Sequence, residues 1–299
     1  MERDEDVRTS CLLALEVLRA QHGDELPYVG VLDRGFNFRG RRVPFLNYQK
    51  GIYRAAVQRG PAALSIQTSF RSPYDDQPAD TGFFYAYRAG DIDQSDNRAL
   101  RAAHALAVPI VYFDATRPGW YQVVSPTFVT GDDPTARGVL LTPGEFSGPL
   151  DEPVPMPIVD AVERRYVVRE VRVRLHQARF RGLVVPAYKD QCAICRLKEL
   201  RLLDAAHITR DAHVEGAATL ANGVSLCTIH HRAYDSDLVG ISPDYTVHVS
   251  KRLLEDEDGP MLEVLKTFHG QSIRVPARSA ARPDRERLAS RFELFSSAA

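Results

Sequence analysis

The residues with the clearest chemistry lie between positions 192 and 231, where cysteine and histidine recur at the spacing of a zinc site. Cys192 and Cys195 form a C-x2-C pair, and Cys227 and His230 form a C-x2-H pair. Structural zinc takes four sulfur or nitrogen ligands in a tetrahedron, and ligands at this spacing chelate from one tight turn. We therefore predict a structural zinc ion that holds a small segment together, because so short a segment buries too little apolar surface alone.

Polar residues between the zinc ligands are suited to phosphodiester hydrolysis. His207 lies in a short apolar run predicted to be a strand, Asn222 begins an Asn-Gly turn, and the run TIHHRAYD predicts a helix. Adjacent helical residues point about 100° apart, so His231 can face a second metal while His230 serves zinc. Hydrolysis of a phosphodiester anion needs a base of near-neutral pKa and a cation that neutralises charge, which predicts a metal-dependent phosphodiesterase.

This order of residues resembles the HNH (ββα-metal) nuclease family over about residues 176 to 250. His207 corresponds to the first histidine of the family motif, Asn222 to its asparagine and His231 to its last histidine, and the four zinc ligands correspond to the paired knuckles of many members. The resemblance implies that His207 is the general base and that Asn222 orients this base or its loop. It also implies that His231 binds one catalytic divalent cation, such as Mg²⁺ or Mn²⁺.

The chain departs from the family pattern at Ala206, where many members place a second metal ligand. Asp235 lies four residues after His231, on the same helical face, and is the first candidate to complete the catalytic site. Asp204, on the predicted strand, is the second candidate. A solvated or helix-capping carboxylate is the alternative for each of them.

The composition is that of an ordinary soluble protein, with 299 residues, 44% hydrophobic and 26% charged, which suits two domains. No apolar run is long enough for a membrane span, and the acidic start MERDEDVR is not a signal peptide, so we expect a cytoplasmic protein. The fourth cysteine, Cys11, has no disulfide framework to join, which agrees with a reducing compartment.

The net charge of −1 conceals a basic stretch beside the nuclease motif. Residues 163 to 210 contain twelve Lys/Arg against five Asp/Glu, a local charge of +7. Such a stretch would give salt-sensitive affinity for a nucleic-acid backbone, although a solvated helix face is the alternative. The candidate DNA contacts are Arg172, Arg174, Arg179 and Arg181.

The first 160 residues have a different sequence pattern, in which short aromatic strands are predicted between turn clusters rich in Gly and Pro. Helices are predicted at about Val7 to Gln21 and about Asn97 to Ala107, the second capped by Asp96. Runs such as ALSIQTS, GFFYAYR and VPIVYFDA predict mostly antiparallel strands. The fold class is therefore α+β, with a small barrel-like N-terminal domain.

The order of these segments is similar to the SRA-like (YDG) modules of the PUA superfamily, which precede HNH domains in modification-dependent restriction endonucleases. The segments that carry the likeness include NFRGRRVPFLNYQKGIY and LSIQTSFRSPYDDQ, with YDD where the namesake motif has YDG. The resemblance implies that a modified base, 5-methylcytosine or 5-hydroxymethylcytosine, is flipped into an aromatic pocket. The candidate pocket residues, each with a core or turn position as the alternative, are Tyr74, Asp75, Tyr85, Tyr87, Tyr48 and Trp120.

These features predict a modification-dependent DNA endonuclease. Residues 1–160 form the reader domain, 161–185 a basic linker or helix, 186–250 the HNH domain with its zinc, and 251–299 a C-terminal extension, either a mobile arm or a terminal helix. One HNH domain makes one nick, so double-strand cleavage predicts a homodimer. Two alternatives remain: the N-terminal domain senses another modification, such as a phosphorothioate, or a small ligand, or the zinc unit binds DNA without catalysis.

Overall fold

A helix of 27 residues, α3 (Ala161–Ala187), contains the boundary between the two units of the chain. The first unit is Met1–Leu175 and the second is His176–Ala299. The structure is a computed structural model, and it describes residues 2–70, 82–147, 154–209, 218–257 and 259–298. Within these ranges, no helix is both long and apolar enough to cross a membrane.

Two helices of the first unit lie where the sequence predicts them. Helix α1 (Glu2–His22) buries apolar residues spaced one turn apart, and helix α2 (Ser95–Ala105) buries Leu100 completely. The predicted cap is wrong, because Asp96 lies inside the first turn of α2 and its carboxylate pairs with Arg88 at 2.6 Å. A carboxylate in the first turn still favours the positive end of the helix dipole.

The strands of the first unit are short near its start and long near its end. In chain order they are β1 (Glu25–Pro27), β2 (Phe36–Phe38), β3 (Arg41–Val43), β4 (Ile52–Tyr53), β5 (Ser65–Gln67), β6 (Phe83–Ala86), β7 (Ile110–Arg117), β8 (Trp120–Asp133), β9 (Gly138–Ser147) and β10 (Val154–Pro157).

Strand β8 organises the main sheet of the first unit. The order of hydrogen-bonded strands is β10-β9-β8-β7-β5-β4, and β1 adds to β8 while β6 adds to β9. The pairs are antiparallel except for β5 with β7, and β2 pairs with β3 separately. Every residue of β7 is buried, as expected for a strand covered on both faces. Among the described residues this strand path stays open from β10 to β4, so they form a mixed α+β unit in which the expected barrel is not closed.

The second unit begins with an antiparallel hairpin followed by a helix. Strand β11 (Leu203–His207) pairs with β12 (Gly223–Cys227), and helix α4 (Thr228–Asp235) follows directly. In this register Leu203 lies opposite Cys227, and His207 lies opposite Gly223. The predicted strand, turn and helix are confirmed, and together they form a ββα unit.

The rest of the second unit covers this ββα unit from the C-terminal side. Its elements are β13 (Val239–Ile241), β14 (Val247–Val249), α5 (Lys251–Glu255), α6 (Pro260–Lys266) and α7 (Arg285–Ala298).

Helix α7 is part of the core of the second unit rather than a mobile arm. Leu288 is fully buried in the same apolar cluster as the residues of the hairpin. Arg291 donates to the Tyr234 carbonyl at 2.6 Å and pairs with Asp237 at 2.5 Å, both at the end of α4 or just beyond it. Residues 251–298, expected to be an extension, therefore complete this core.

Candidate active site and metal centre

His207 is the last residue of strand β11, where the connection between the two hairpin strands begins. Its imidazole stacks on the ring of Phe180 from helix α3, with centroids 3.9 Å apart and planes 20° from parallel. The side chain is half-buried, whereas Phe180 is buried. One face of the imidazole is thus covered by an aromatic ring.

Asn222 fixes the chain just after His207. Its Oδ1 accepts a hydrogen bond from the Thr209 amide at 2.8 Å, and its Nδ2 donates to the Thr209 carbonyl at 3.0 Å. The Asn222 carbonyl also accepts from the Ile208 amide at 2.9 Å. Because Asn222 is fully buried and Thr209 is half-buried, water competes little for these bonds. The structure therefore places this asparagine where it holds the loop that follows His207.

His231, in helix α4, lies between two carboxylates of the ββα unit. Its Nδ1 is 3.3 Å from Asp204 of β11, and its Nε2 is 3.4 Å from Asp235, one turn further along α4. The hydrogen bond with Asp204 raises the pKa of His231, and the negative charges of both carboxylates add to this effect against the opposing effect of burial. An imidazole between two carboxylates forms a site that attracts cations.

Ala206 stands where the family pattern has a second metal ligand, and the candidate carboxylates lie at other positions. Ala206 is fully buried in the apolar core, so a polar side chain at this position would meet the core rather than solvent. Asp204 and Asp235 contact opposite nitrogens of His231. A cation bound at one nitrogen would have the adjacent carboxylate as a second ligand, while the other carboxylate would hold the ring. Both carboxylates considered from the sequence therefore adjoin His231.

The four cysteine and histidine residues predicted to bind zinc come together in the described structure. Their ligand atoms all lie within 4.8 Å of one another. The Sγ atoms of Cys195 and Cys227 are 3.8 Å apart, and Cys192 Sγ is 3.7 Å from His230 Nδ1. A tetrahedron with the Zn–S distance of about 2.3 Å as its radius has edges of about 3.8 Å, so the spacing fits a zinc ion. The Cys227 Sγ to His230 Nδ1 distance, 3.1 Å, is the short edge.

The electrostatics of this cluster also suit a cation. Hydrogen bonds with Cys192 and Cys195 hold the pKa of the Cys227 thiol well below its usual range. The thiolate is the form of cysteine that binds metal. Burial alone would lower the pKa of His230, but its hydrogen bonds with Cys195 and Cys227 outweigh burial. The donor set therefore fits zinc in number, type and spacing.

The arginines proposed to contact DNA have partners within the protein. Arg172 donates to the Gly82 carbonyl at 2.5 Å, and Arg174 pairs with Asp24 at 3.3 Å.

Arg181 donates to the carbonyls of Leu203 at 2.9 Å and Leu200 at 2.6 Å, which anchors the start of β11. Arg179 also lies on α3. The predicted basic linker is thus a helix whose arginines support the fold.

The aromatic residues proposed for a base pocket lie in different surroundings. The Tyr85 hydroxyl donates to two backbone carbonyls in the interior, and the buried Tyr87 donates to Asp132. Tyr48 is 52% exposed, and Trp120 is half-buried beneath the Arg117 guanidinium. Tyr74 and Asp75 lie outside the described residues.

Phe180 is the site residue that the sequence reasoning missed. With Val184, also on α3, and Tyr188, just beyond the end of α3, it forms an apolar row at intervals of four, and all three are buried. Apolar residues four positions apart are typical of a helix face that packs on a core, and the run RFRGLVVPAY contains this spacing. The basic residues in the same run favour a charged, DNA-binding surface instead.

Comparison with known proteins assigns the ββα unit to an enzyme family. Residues 192–242 match the family described as HNH endonuclease (HNH_2), which confirms the resemblance to the HNH family in this part of the chain. The chain therefore contains an HNH endonuclease domain, and it is an enzyme of the class that hydrolyses phosphodiester bonds in DNA. No curated protein matches the chain.

One solved structure, named "Modification dependent TagI restriction endonuclease", is similar to this chain with a TM-score of 0.33 and 17% sequence identity. The similarity covers 83% of this chain and 86% of that chain. At this TM-score it assigns no fold to either unit.

Proposed function

We propose that this enzyme is a DNA endonuclease whose HNH site is activated by a divalent cation and whose first unit selects modified DNA. The observation that carries the catalytic part is His231 held between Asp204 and Asp235 in the same ββα unit as His207. A base and a cation-attracting cluster on one small scaffold suit phosphodiester hydrolysis.

In the proposed reaction, His207 accepts the proton of a water molecule that attacks the scissile phosphorus. Asn222 holds the loop after His207 through Thr209, so that the base keeps its direction. His231 with Asp204 or Asp235 would hold Mg²⁺, Mn²⁺ or a similar ion, which supplies neutralisation of the negative charge on phosphate. The bond between the phosphorus and the 3′ oxygen breaks, and the 3′ oxygen takes a proton from solvent, giving 5′-phosphate and 3′-hydroxyl ends.

The zinc cluster has a structural role in this proposal. Its ligands come from the loop before β11 and from the β12–α4 junction, so one ion would join the segment before the hairpin to the start of the helix. Metal binding then adds directly to folding free energy. His230 serves this ion, while its neighbour His231 serves the reaction.

The first unit is proposed to read 5-methylcytosine or 5-hydroxymethylcytosine. The support is the order of sequence segments similar to SRA-like modules, together with aromatic surface suited to stacking. Tyr48 is more than half exposed and lies 4.5 Å from Tyr28, centroid to centroid. Trp120 is the second candidate. The hydroxyl groups of Tyr85 and Tyr87 form hydrogen bonds in the interior, so these two rings would form the inner wall of a pocket.

DNA binding and double-strand cleavage are further parts of the proposal. The arginines on α3, including Arg172 and Arg179, would contribute positive charge near the phosphate backbone while their hydrogen bonds hold the fold. Cleavage of both strands would take two copies of the chain. A measurement of molecular mass in solution tests this part, and a monomer with and without DNA would exclude it.

The main experiment compares cleavage of three otherwise identical DNAs that carry cytosine, 5-methylcytosine or 5-hydroxymethylcytosine, with Mg²⁺ or Mn²⁺. We expect cuts in modified DNA by the wild type and none by His207→Ala, with zinc content unchanged. The matched control is His22→Ala at an exposed histidine of α1, which should cut normally.

Four outcomes would alter the proposal. Equal cutting of all three DNAs would remove the reader role and leave the nuclease. Cutting only of a phosphorothioate DNA would support the alternative modification. Normal cutting by His207→Ala would reject His207 as the base, and a wild type that binds DNA but never cuts would support a binding module.

A further inference from the structure

Phe180 lies outside the segment that matches the HNH family and yet contacts the proposed base. The family match begins at residue 192, twelve residues later in the chain. Phe180 is 1% exposed, and its ring covers one face of the His207 imidazole at a centroid distance of 3.9 Å. Planes only 20° from parallel describe a stacked pair rather than an accidental edge contact.

The helix face that carries Phe180 is fixed against the strand opposite His207. Tyr188 donates a hydrogen bond to the Gly223 carbonyl at 3.1 Å, and Gly223 is the register partner of His207. A Cβ at Gly223 would lie 2.4 Å from Val184 Cγ2 and 3.0 Å from Phe180 Cζ. Because the glycine leaves no spare space, the Phe180 ring has little freedom to move away from the imidazole.

A stacked ring matters for a general base because the base must point a nitrogen at one water. The outer torsion of histidine is broad and roughly two-fold, so an unsupported imidazole turns about the Cβ–Cγ bond. A flat neighbour parallel to the imidazole opposes this rotation. A flexible apolar side chain would fill the volume without fixing the plane.

We propose that Phe180 is a positioning residue that holds the plane of His207 during DNA cleavage. This inference rests on the proposed function, in which His207 is the base. Phe180 touches neither the phosphate nor the cation in this view, and it acts only through the imidazole. The aromatic support of the base would therefore come from helix α3, before the family motif begins.

The test measures kcat and KM for DNA cleavage in Phe180→Met and Phe180→Leu, with Phe295→Leu as the control. Methionine keeps most of the volume but has no plane, and leucine serves if the methionine variant folds poorly. Phe295 is buried in the same unit, on α7, where it contacts Gly240 rather than His207. Thermal unfolding and zinc content of each variant report on folding.

We expect both Phe180 variants to lower kcat by about tenfold to about a hundredfold with KM unchanged, since small misplacement of a catalytic group has effects of that size. Phe295→Leu should lose stability but keep kcat. Wild-type kcat in a folded Phe180 variant, a rise in KM alone, or an equal loss of kcat in Phe295→Leu would overturn the inference. If His207→Ala also cuts normally, the proposed function fails; if only Phe180→Met does, the inference alone fails.

Discussion

The change Asn222→Asp tests how strongly the loop after His207 depends on a single side-chain amide. Aspartate has nearly the same shape, so packing is preserved. It keeps an acceptor for the Thr209 amide but replaces the Nδ2 donor by an oxygen, 3.0 Å from the Thr209 carbonyl. The change therefore puts two acceptors face to face at a fully buried position.

The size of the effect follows from these contacts. A buried acceptor that loses its donor costs about 1–3 kcal/mol, and a charged group costs more. The carbonyl of the half-buried Thr209 can gain some compensation from water. We therefore expect Asn222→Asp to lower the free energy of unfolding by about 2–4 kcal/mol at weakly alkaline pH.

The effect has a predicted dependence on pH. Burial and the facing carbonyl raise the folded-state pKa of the new carboxyl above its unfolded value of about 3.9. Protonation restores a donor toward Thr209, so the variant approaches the wild type as pH falls. As pH rises toward the folded-state pKa, the loss grows by up to about 1.4 kcal/mol per pH unit.

Urea unfolding from about pH 4 to about pH 8.5 measures this dependence as a difference from the wild type. The transition that zinc chelation shifts reports on the second unit. Asn222→Ala is the matched control, because it loses both hydrogen bonds without gaining a titratable group. Its difference from the wild type should stay constant with pH. The reasoning is refuted if Asn222→Asp is as stable as the wild type at alkaline pH, or if its deficit grows toward acid.

Other predictions concern the zinc cluster, helix α7 and the half-buried His248. Cys195→Ser should lose bound zinc, measured by mass spectrometry, and should unfold at lower temperature, because zinc binding contributes folding energy. Arg291→Ala should lower the free energy of unfolding by about 1.5–3 kcal/mol, since it removes a charged donor from two acceptors. Burial and His269 hold the pKa of His248 below its usual value, against the opposing effect of Asp244. The unfolded chain therefore binds more protons than the folded chain, so the free energy of unfolding decreases as the pH drops below about 6.5. His248→Gln should reduce this dependence of stability on pH.

Each of these predictions has a result that contradicts it. Zinc retained at the wild-type ratio in Cys195→Ser would exclude the cluster as the zinc site, and Cys11→Ser is the control expected to keep zinc. An unchanged unfolding curve for Arg291→Ala would show that α7 is held by apolar contacts alone, and Arg287→Ala on the same helix is its control. A His248→Gln variant with the wild-type slope would assign the pH dependence to other groups.

The order of His207, Asn222 and His231 was enough to predict the ββα unit, because strand, turn and helix each have a local signal. The zinc set was predictable for the same reason, since its ligands come in short chelating pairs. The choice between Asp235 and Asp204 was not, because helical spacing indicates the first but only strand pairing brings the second to the same imidazole.

Features that depend on distant packing were missed or misassigned. Phe180 meets His207 across 27 residues of sequence, and no local pattern predicts which ring a histidine will stack on. Tyr85 and Tyr48 are the same residue type, yet one is 4% exposed and the other 52%. Residue type alone cannot separate a core aromatic from a surface aromatic.

The burial of Leu288 and Arg291 has a consequence for the order of events during synthesis. Ribosomes release a chain from its N-terminus, and domains generally fold as they emerge. The first unit is complete long before α7 exists, whereas the core around His207 lacks its last covering helix until residues 285–298 are made. A chain interrupted before α7 is made would carry a finished first unit and an unfinished nuclease, so the first unit would fold before DNA-cutting activity is acquired.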